Sequence, residues 1–188
     1  MTTKKLGKQT VAFASPPSIA GHANVVGKKE GEGPLRASFD LINQDDTFGE
    51  SSWEKAESAM QKLALQNALD KAKQAASTLD FIFAGDLLNQ CIASSFAIRG
   101  QGVPFFGLYG ACSTMAESLT LASMMLDGGF GEWAAAMASS HFCSAERQYR
   151  TPLEYGGQRT PTAQWTVTGA GAVVLAREGD GPYITPVS

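Results

Sequence analysis

Read as a pattern of apolar and polar positions, the chain alternates short apolar runs with helical periods. Residues 103–109 are almost wholly apolar, which suits a strand covered on both faces, and a helical pattern follows at once. Met115, Leu119, Ala122 and Leu126 recur at i, i+4, i+7 and i+11 on one stripe, and Gly128 with Gly129 supplies the stop. Thr114 and Glu117 have capping-box spacing, so the helix is expected to begin at or just after Cys112.

The same rhythm extends in both directions. Residues 10–14 form a short strand candidate ended by Pro16 and Pro17. Residues 15–52 carry no sustained period and read as a long loop or insertion, of the kind that is functional or packs against a partner. Ser51 and Glu54 have capping-box spacing, and Ala56, Met60, Leu63 and Ala64 continue as a helix towards Ala76. Residues 80–85 read as a second buried strand and 86–98 as a helix behind it, closed near Gly100. Residues 132–139 suit strand or helix. Their place after the glycine stop decides for a fourth strand. Residues 141–162 are polar and irregular, and 164–177 give a last strand interrupted by Gly169. This order predicts one α/β domain with a mostly parallel five-stranded sheet covered by helices.

Composition narrows the function. With 188 residues and 44% hydrophobic content the chain can bury one sizeable core. The net charge of −3 offers no basic field, so no nucleic-acid partner is expected. The polar N-terminus lacks the apolar core of a secretion signal, and no run is long enough to span a membrane. Cys91, Cys112 and Cys143 are an odd number without zinc or disulfide-motif spacing, which points to a reducing compartment and no metal site.

In an open parallel sheet, ligands bind beyond the carboxyl ends of the strands. Asp86 and Asn89 follow the second strand, Cys112 and Ser113 the third, and Ser139, Ser140 and His141 the fourth. A cysteine opening a helix feels the positive end of its dipole, which favours a nucleophilic thiolate; it is equally a small residue that packs well at such a turn. His141 is a candidate base for Cys112 or a hydrogen-bonded loop residue. Asp86 could meet a ligand or simply complement its own helix. Arg147, Arg150 and Arg159, interleaved with Tyr149 and Tyr155, offer planar forks for carboxylates or a solvated face. Cys91 reads as core, and His22 as a surface residue.

The strand order, with Gly-Ala-Cys-Ser-Thr at 110–114, resembles the N-terminal half of the thiolase fold, which includes the ketoacyl synthases. More specifically, Lys-Lys-Glu-Gly-Glu-Gly-Pro-Leu at 28–35, Gly-Glu-Ser-Ser-Trp-Glu-Lys-Ala-Glu at 49–57 and Ala-Gly-Asp-Leu-Leu-Asn-Gln at 84–90 resemble the stage V sporulation protein AD family. So do Gly-Leu-Tyr-Gly-Ala-Cys-Ser-Thr at 107–114, Ser-Ser-His at 139–141, Glu-Tyr-Gly at 154–156 and Thr-Val-Thr-Gly-Ala-Gly-Ala at 166–172. The likeness runs from about residue 5 to the end.

This resemblance implies a protein that binds dipicolinic acid, pyridine-2,6-dicarboxylate, during its uptake into the developing spore, without catalysis. It implies work with membrane proteins of the same operon, a cytoplasmic place at the periphery of the forespore or spore inner membrane, and a homodimer through the thiolase-type core. Family members continue into a second thiolase-type half, so the chain reads as an N-terminal half. Cys112, Asp86, His141, Asn89, Arg147 and Ser113 are the expected ligand contacts, with no cofactor and calcium only as part of a ligand chelate. Cys112 would be the nucleophile under the alternative of an acyl-transferring enzyme. A third reading is a scaffold for spore membrane proteins, with residues 15–52 as its contact surface.

Overall fold

The computed structural model describes residues 4–149 and 166–188, with backbone alone at residues 90 and 147–149. In chain order its elements are β1 (Lys5–Leu6), β2 (Thr10–Ala12), β3 (Ser18–Val26), α1 (Lys28–Gly31), β4 (Leu41–Ile42), α2 (Trp53–Ala72), β5 (Phe81–Gly85), α3 (Ile92–Ile98), β6 (Phe105–Leu108), α4 (Thr114–Asp127), β7 (Trp133–Ser140), α5 (Phe142–Tyr149), β8 (Gly169–Ala176) and β9 (Pro186–Val187). The main sheet has six strands in the order β4-β3-β8-β7-β5-β6. The β3–β4, β5–β6 and β5–β7 pairs are parallel, whereas β8 runs antiparallel to both β3 and β7. A three-stranded antiparallel sheet, β1-β2-β9, stands apart.

The α/β class expected from the sequence is the one observed, but the main sheet has six strands where five were expected, and α5 lies in the segment read as irregular. The segment read as a loop, 15–52, contains β3, a nine-residue strand central to the sheet. Its run Ser-Ile-Ala-Gly-His-Ala-Asn-Val-Val lacks apolar alternation, and pairing with β8 along its whole length holds it instead. The strand read at 10–14 belongs to the small sheet.

Helices cover both faces. On one, Met60, Ala64, Leu65, Ala68 and Leu69 of α2 pack on Val25, Ile82, Ala84, Ala135, Met137 and Val174. On the other, Ala122 and Leu126 of α4 pack on Phe83, Ala134, Ala136 and Leu175. Each fully buried Met, Leu or Ile of this kind contributes roughly 1.5–3 kcal/mol. Small residues set the spacing. A Cβ at Gly21 would lie 2.4 Å from the Ala68 carbonyl, so α2 approaches β3 backbone to backbone.

Helix ends follow local chemistry. Ser52, one residue beyond the expected Ser51, caps α2 by accepting from the Lys55 N–H at 3.3 Å, and left-handed Lys73 (φ 56°) closes it. The strand expected to be covered on both faces, 103–109, is the sheet edge: Phe106 is 44% exposed, although its ring stacks on Phe83 with centroids 4.9 Å apart. No helix among the described residues is long and apolar enough to cross a membrane.

Candidate functional site

Strands β5, β6 and β7 are parallel; β5 and β6 end level, Gly85 pairing with Leu108, and β7, whose Ala138 also pairs with Gly85, runs two residues further to Ser140. The segments that follow them gather at one edge of the sheet, where the sequence placed the ligand crevice.

Cys112 lies there in a 3₁₀ turn, Ala111–Ser113, that feeds α4, and it is exposed. Ala111 just before it has φ 49°, a left-handed conformation that costs a residue with a Cβ about 1 kcal/mol or more. Side chains hold the turn in place. Thr114 donates to the Ala111 carbonyl at 2.9 Å and accepts from the Gly110 N–H at 3.2 Å. Ser113, also exposed, donates from its hydroxyl to the Gly110 carbonyl at 2.7 Å. The capping box expected from Thr114 and Glu117 is therefore replaced: Thr114 is the first helical residue, and its hydroxyl braces the turn behind it. From the neighbouring loop, Tyr109 donates to the Leu87 carbonyl at 3.2 Å and the Cys91 thiol to the Leu108 carbonyl at 3.1 Å. Gly85 completes the support, since a Cβ there would sit 2.1 Å from the Leu108 carbonyl and 2.6 Å from Thr114 Cγ2.

Asp86, expected at the ligand, is 1% exposed. Its Oδ1 accepts from the Leu88 N–H at 2.9 Å, and its Oδ2 accepts from the Ser94 N–H at 2.8 Å and the Ser94 hydroxyl at 2.6 Å. Both oxygens accept hydrogen bonds within the β5–α3 connection, so Asp86 fastens that loop from inside. Asn89 opens a 3₁₀ turn in that connection and is exposed.

His141 is likewise turned inward, 1% exposed. Its Nε2 lies 2.8 Å from the Asp46 carbonyl and its Nδ1 accepts from the Cys143 N–H at 3.2 Å, which together assign the neutral tautomer with the proton on Nε2. The ring packs on Trp53 with centroids 5.3 Å apart, on the α2 face of the sheet, whereas Cys112 opens the helix on the other face. Strand β5 also separates β6 from β7, which sets their ends roughly 10 Å apart. The fold thus sets His141 and Cys112 on opposite faces of the sheet and at the ends of strands that are not neighbours. The backbone of Arg147 lies in α5, but its side chain is outside the described residues, as are Arg150, Arg159 and Tyr155.

Behind this edge runs a buried polar chain that the sequence reading missed. Gln61 Nε2 donates to Ser94 at 2.9 Å and to Ser139 at 2.6 Å; Ser94 donates to Asp86, and Ser139 donates to Glu57 at 2.7 Å. Ser144 of α5 donates to the second Glu57 oxygen at 2.9 Å. Burial pushes the Glu57 carboxyl up to about 7, against the pull of the Ser139 hydroxyl, and the Asp86 charge adds to the rise. The signal was present: Glu57 and Gln61 share the stripe of Ala64 and Ala68, where polar residues must find buried partners.

These elements define a class. The fold is similar to that of 3-oxoacyl-[acyl-carrier-protein] synthase III from Aquifex aeolicus, 19% identical, with a TM-score of 0.58 over 87% of this chain and 55% of that one. It is also similar to OleA from Xanthomonas campestris, 20% identical, with a TM-score of 0.55 over 88% and 59% of the two chains. The chain thus has the thiolase-like fold, arranged as its N-terminal half. Residues 7–188 match the family described as stage V sporulation protein AD. The stage V sporulation protein AD of Bacillus subtilis (strain 168) is 42% identical over 182 residues, 97% of this chain and 54% of that protein. The chain belongs to the stage V sporulation protein AD family and spans about half the length of that relative.

Proposed function

We propose that this chain carries the ligand-contacting turn of a dipicolinate-binding protein that acts, without catalysis, in uptake into the developing spore. The observation that carries the reading is the exposed, side-chain-braced turn at Cys112, joined to family membership. Dipicolinate is small, flat and dianionic, and needs donors aimed at two carboxylates beside an apolar wall. The Cys112 thiol supplies a donor, the Ser113 hydroxyl and the backbone amides entering α4 shape the turn around it, exposed Tyr109 supplies a wall, and Asn89 lies in the adjoining loop. Asp86 and His141 support the edge from within. Calcium enters only with the ligand. Membrane proteins of the same operon, a peripheral place at the spore inner membrane and pairing with a second copy through the thiolase-type core belong to the same reading.

Calorimetric titration of dipicolinate, with and without calcium, into this chain and into the Bacillus subtilis relative tests it. Saturable binding to both, weakened by Cys112→Ala, is expected. Binding to neither would end the reading.

One observation favours acyl transfer as a second reading: Cys112 is presented to solvent by a left-handed Ala111, as a nucleophile would be. Transfer of an acyl group from a thioester to Cys112, seen as a mass increase on that residue alone, would favour it over simple binding.

A further inference from the structure

We propose that the cleft between α2 and α3, on the outer side of the molecule, is a second ligand site for an organic monocarboxylate with an elongated apolar body. It is independent of the Cys112 turn and does not rest on the dipicolinate reading. The cleft is open to solvent along one side, offers about 450 Å³, within the size range of small-molecule sites, and is lined by Glu50, Glu54, Lys55, Ser58, Lys62, Ile92, Phe96 and Arg99.

Its walls are fixed. The Ser58 hydroxyl of α2 donates to the Ala93 carbonyl of α3 at 2.9 Å, and Gln61 holds Ser94 one turn further on. Helix α3 buries Ala93, Ser94, Ala97 and Ile98 but leaves Ile92 41% and Phe96 55% exposed, one turn apart and both on the cleft. Two large apolar side chains there give a ligand a hydrophobic wall that α3 does not need for its own packing.

Charge gives the cleft a direction. Glu54, Ser58 and Lys62 follow one another at successive turns of α2, which separates Glu54 from Lys62 by about 12 Å along the axis. Lys62 lies towards the end where α3 closes with Arg99, and no ion pair is made by either side chain among the described residues. At the other end Lys55 is engaged by the Ser51 hydroxyl at 3.3 Å and stands with Glu50 and Glu54. A carboxylate therefore fits between Lys62 and Arg99, with its apolar body along Phe96 and Ile92. A second anionic group would meet Glu50 and Glu54, so a dicarboxylate of the same length is rejected.

The test is calorimetric titration of the chain with 4-phenylbutyrate, 4-phenylbutylamine and suberate, which vary the charge at each end of a similar length. Saturable one-to-one binding of 4-phenylbutyrate is expected, with the amine and the dicarboxylate at least about tenfold weaker. Lys62→Glu, Arg99→Glu and Phe96→Ser, all outward-facing, should each weaken 4-phenylbutyrate by about fivefold or more, and Cys112→Ala should leave it unchanged. Equal binding of the amine, or 4-phenylbutyrate affinity unmoved by both charge reversals, overturns the assignment. So does the absence of saturable binding.

Discussion

Ser139 donates from its hydroxyl to Oε1 of Glu57 at 2.7 Å, joining the end of β7 to a carboxyl buried in the inward stripe of α2. Through Gln61 and Ser94 the same chain of hydrogen bonds reaches Asp86. Two carboxylates and four neutral partners thus tie α2 to the ends of β5 and β7 and to α3 and α5, behind the edge on which Cys112 is displayed.

This arrangement makes stability depend on pH in a definite window. The Glu57 carboxyl sits at about 7 in the folded chain against 4.5 as a free side chain, so the folded state binds the proton more tightly. Its contribution is complete below pH 4.5 and is lost as pH rises through about 7, a change of roughly 3 kcal/mol. Asp40, Asp45 and Asp127 are held below 3.8, so they act in the opposite sense and only at lower pH. Urea unfolding between pH 5 and pH 8 should show stability falling as pH rises, and Glu57→Gln should flatten the profile. Parallel profiles for the two proteins would remove Glu57 as the cause.

Asp86 receives three hydrogen bonds, two from Ser94 and one from Leu88. Asp86→Asn presents an amide N–H to donors already in place, and should cost roughly 1–3 kcal/mol in thermal or urea unfolding. Because Asp86 faces inward, dipicolinate affinity of the folded variant should stay within about twofold of the parent by calorimetry. Lost affinity at unchanged stability would return Asp86 to the ligand.

Gly85 is the close-approach point of the site. Gly85→Ala places a methyl against the Leu108 carbonyl and Thr114, so β6 and the Cys112 turn must move or the sheet must open. A loss of about 1–3 kcal/mol is expected, with altered amide resonances centred on residues 108–114 in nuclear magnetic resonance spectra. Spectral changes confined to β5 would mean that the turn is not braced by this contact.

The parts of the fold written in strong local signals were legible. The 53–72 helix, the apolar strand at 81–85 and the cysteine turn before a striped helix each follow from spacing. Strand β3 was not legible, because its glycine, histidine and asparagine serve pairing with β8 and the close approach of α2, neither of which leaves a period in the sequence. At the site, Cys112 and Ser113 lie at an exposed turn beyond the strand that the sequence indicated, and Asp86 and His141 lie at their expected strand ends with their side chains facing inward. Strand ends fix where a residue lies along the sheet; what turns it inward is a partner that leaves no period in the sequence, Ser94 in the adjoining helix for Asp86 and Asp46 from a distant segment for His141.

The three cysteines differ enough for one reagent to separate them. Cys91 is 7% exposed, its thiol donates to the Leu108 carbonyl, and burial with the Asp86 charge pushes that thiol up. Cys143 is half-buried, and burial with the Asp46 charge pushes it up as well. Cys112 alone is open to solvent. Iodoacetamide near neutral pH, followed by peptide mass spectrometry, should therefore modify Cys112 at least about tenfold faster than either of the others, and all three at similar rates in urea. Saturating dipicolinate should slow the Cys112 reaction and leave Cys143 unaffected. Modification of Cys143 as fast as Cys112 in the folded chain would mean that the turn is closed, and dipicolinate binding without protection of Cys112 would move the ligand elsewhere on the molecule.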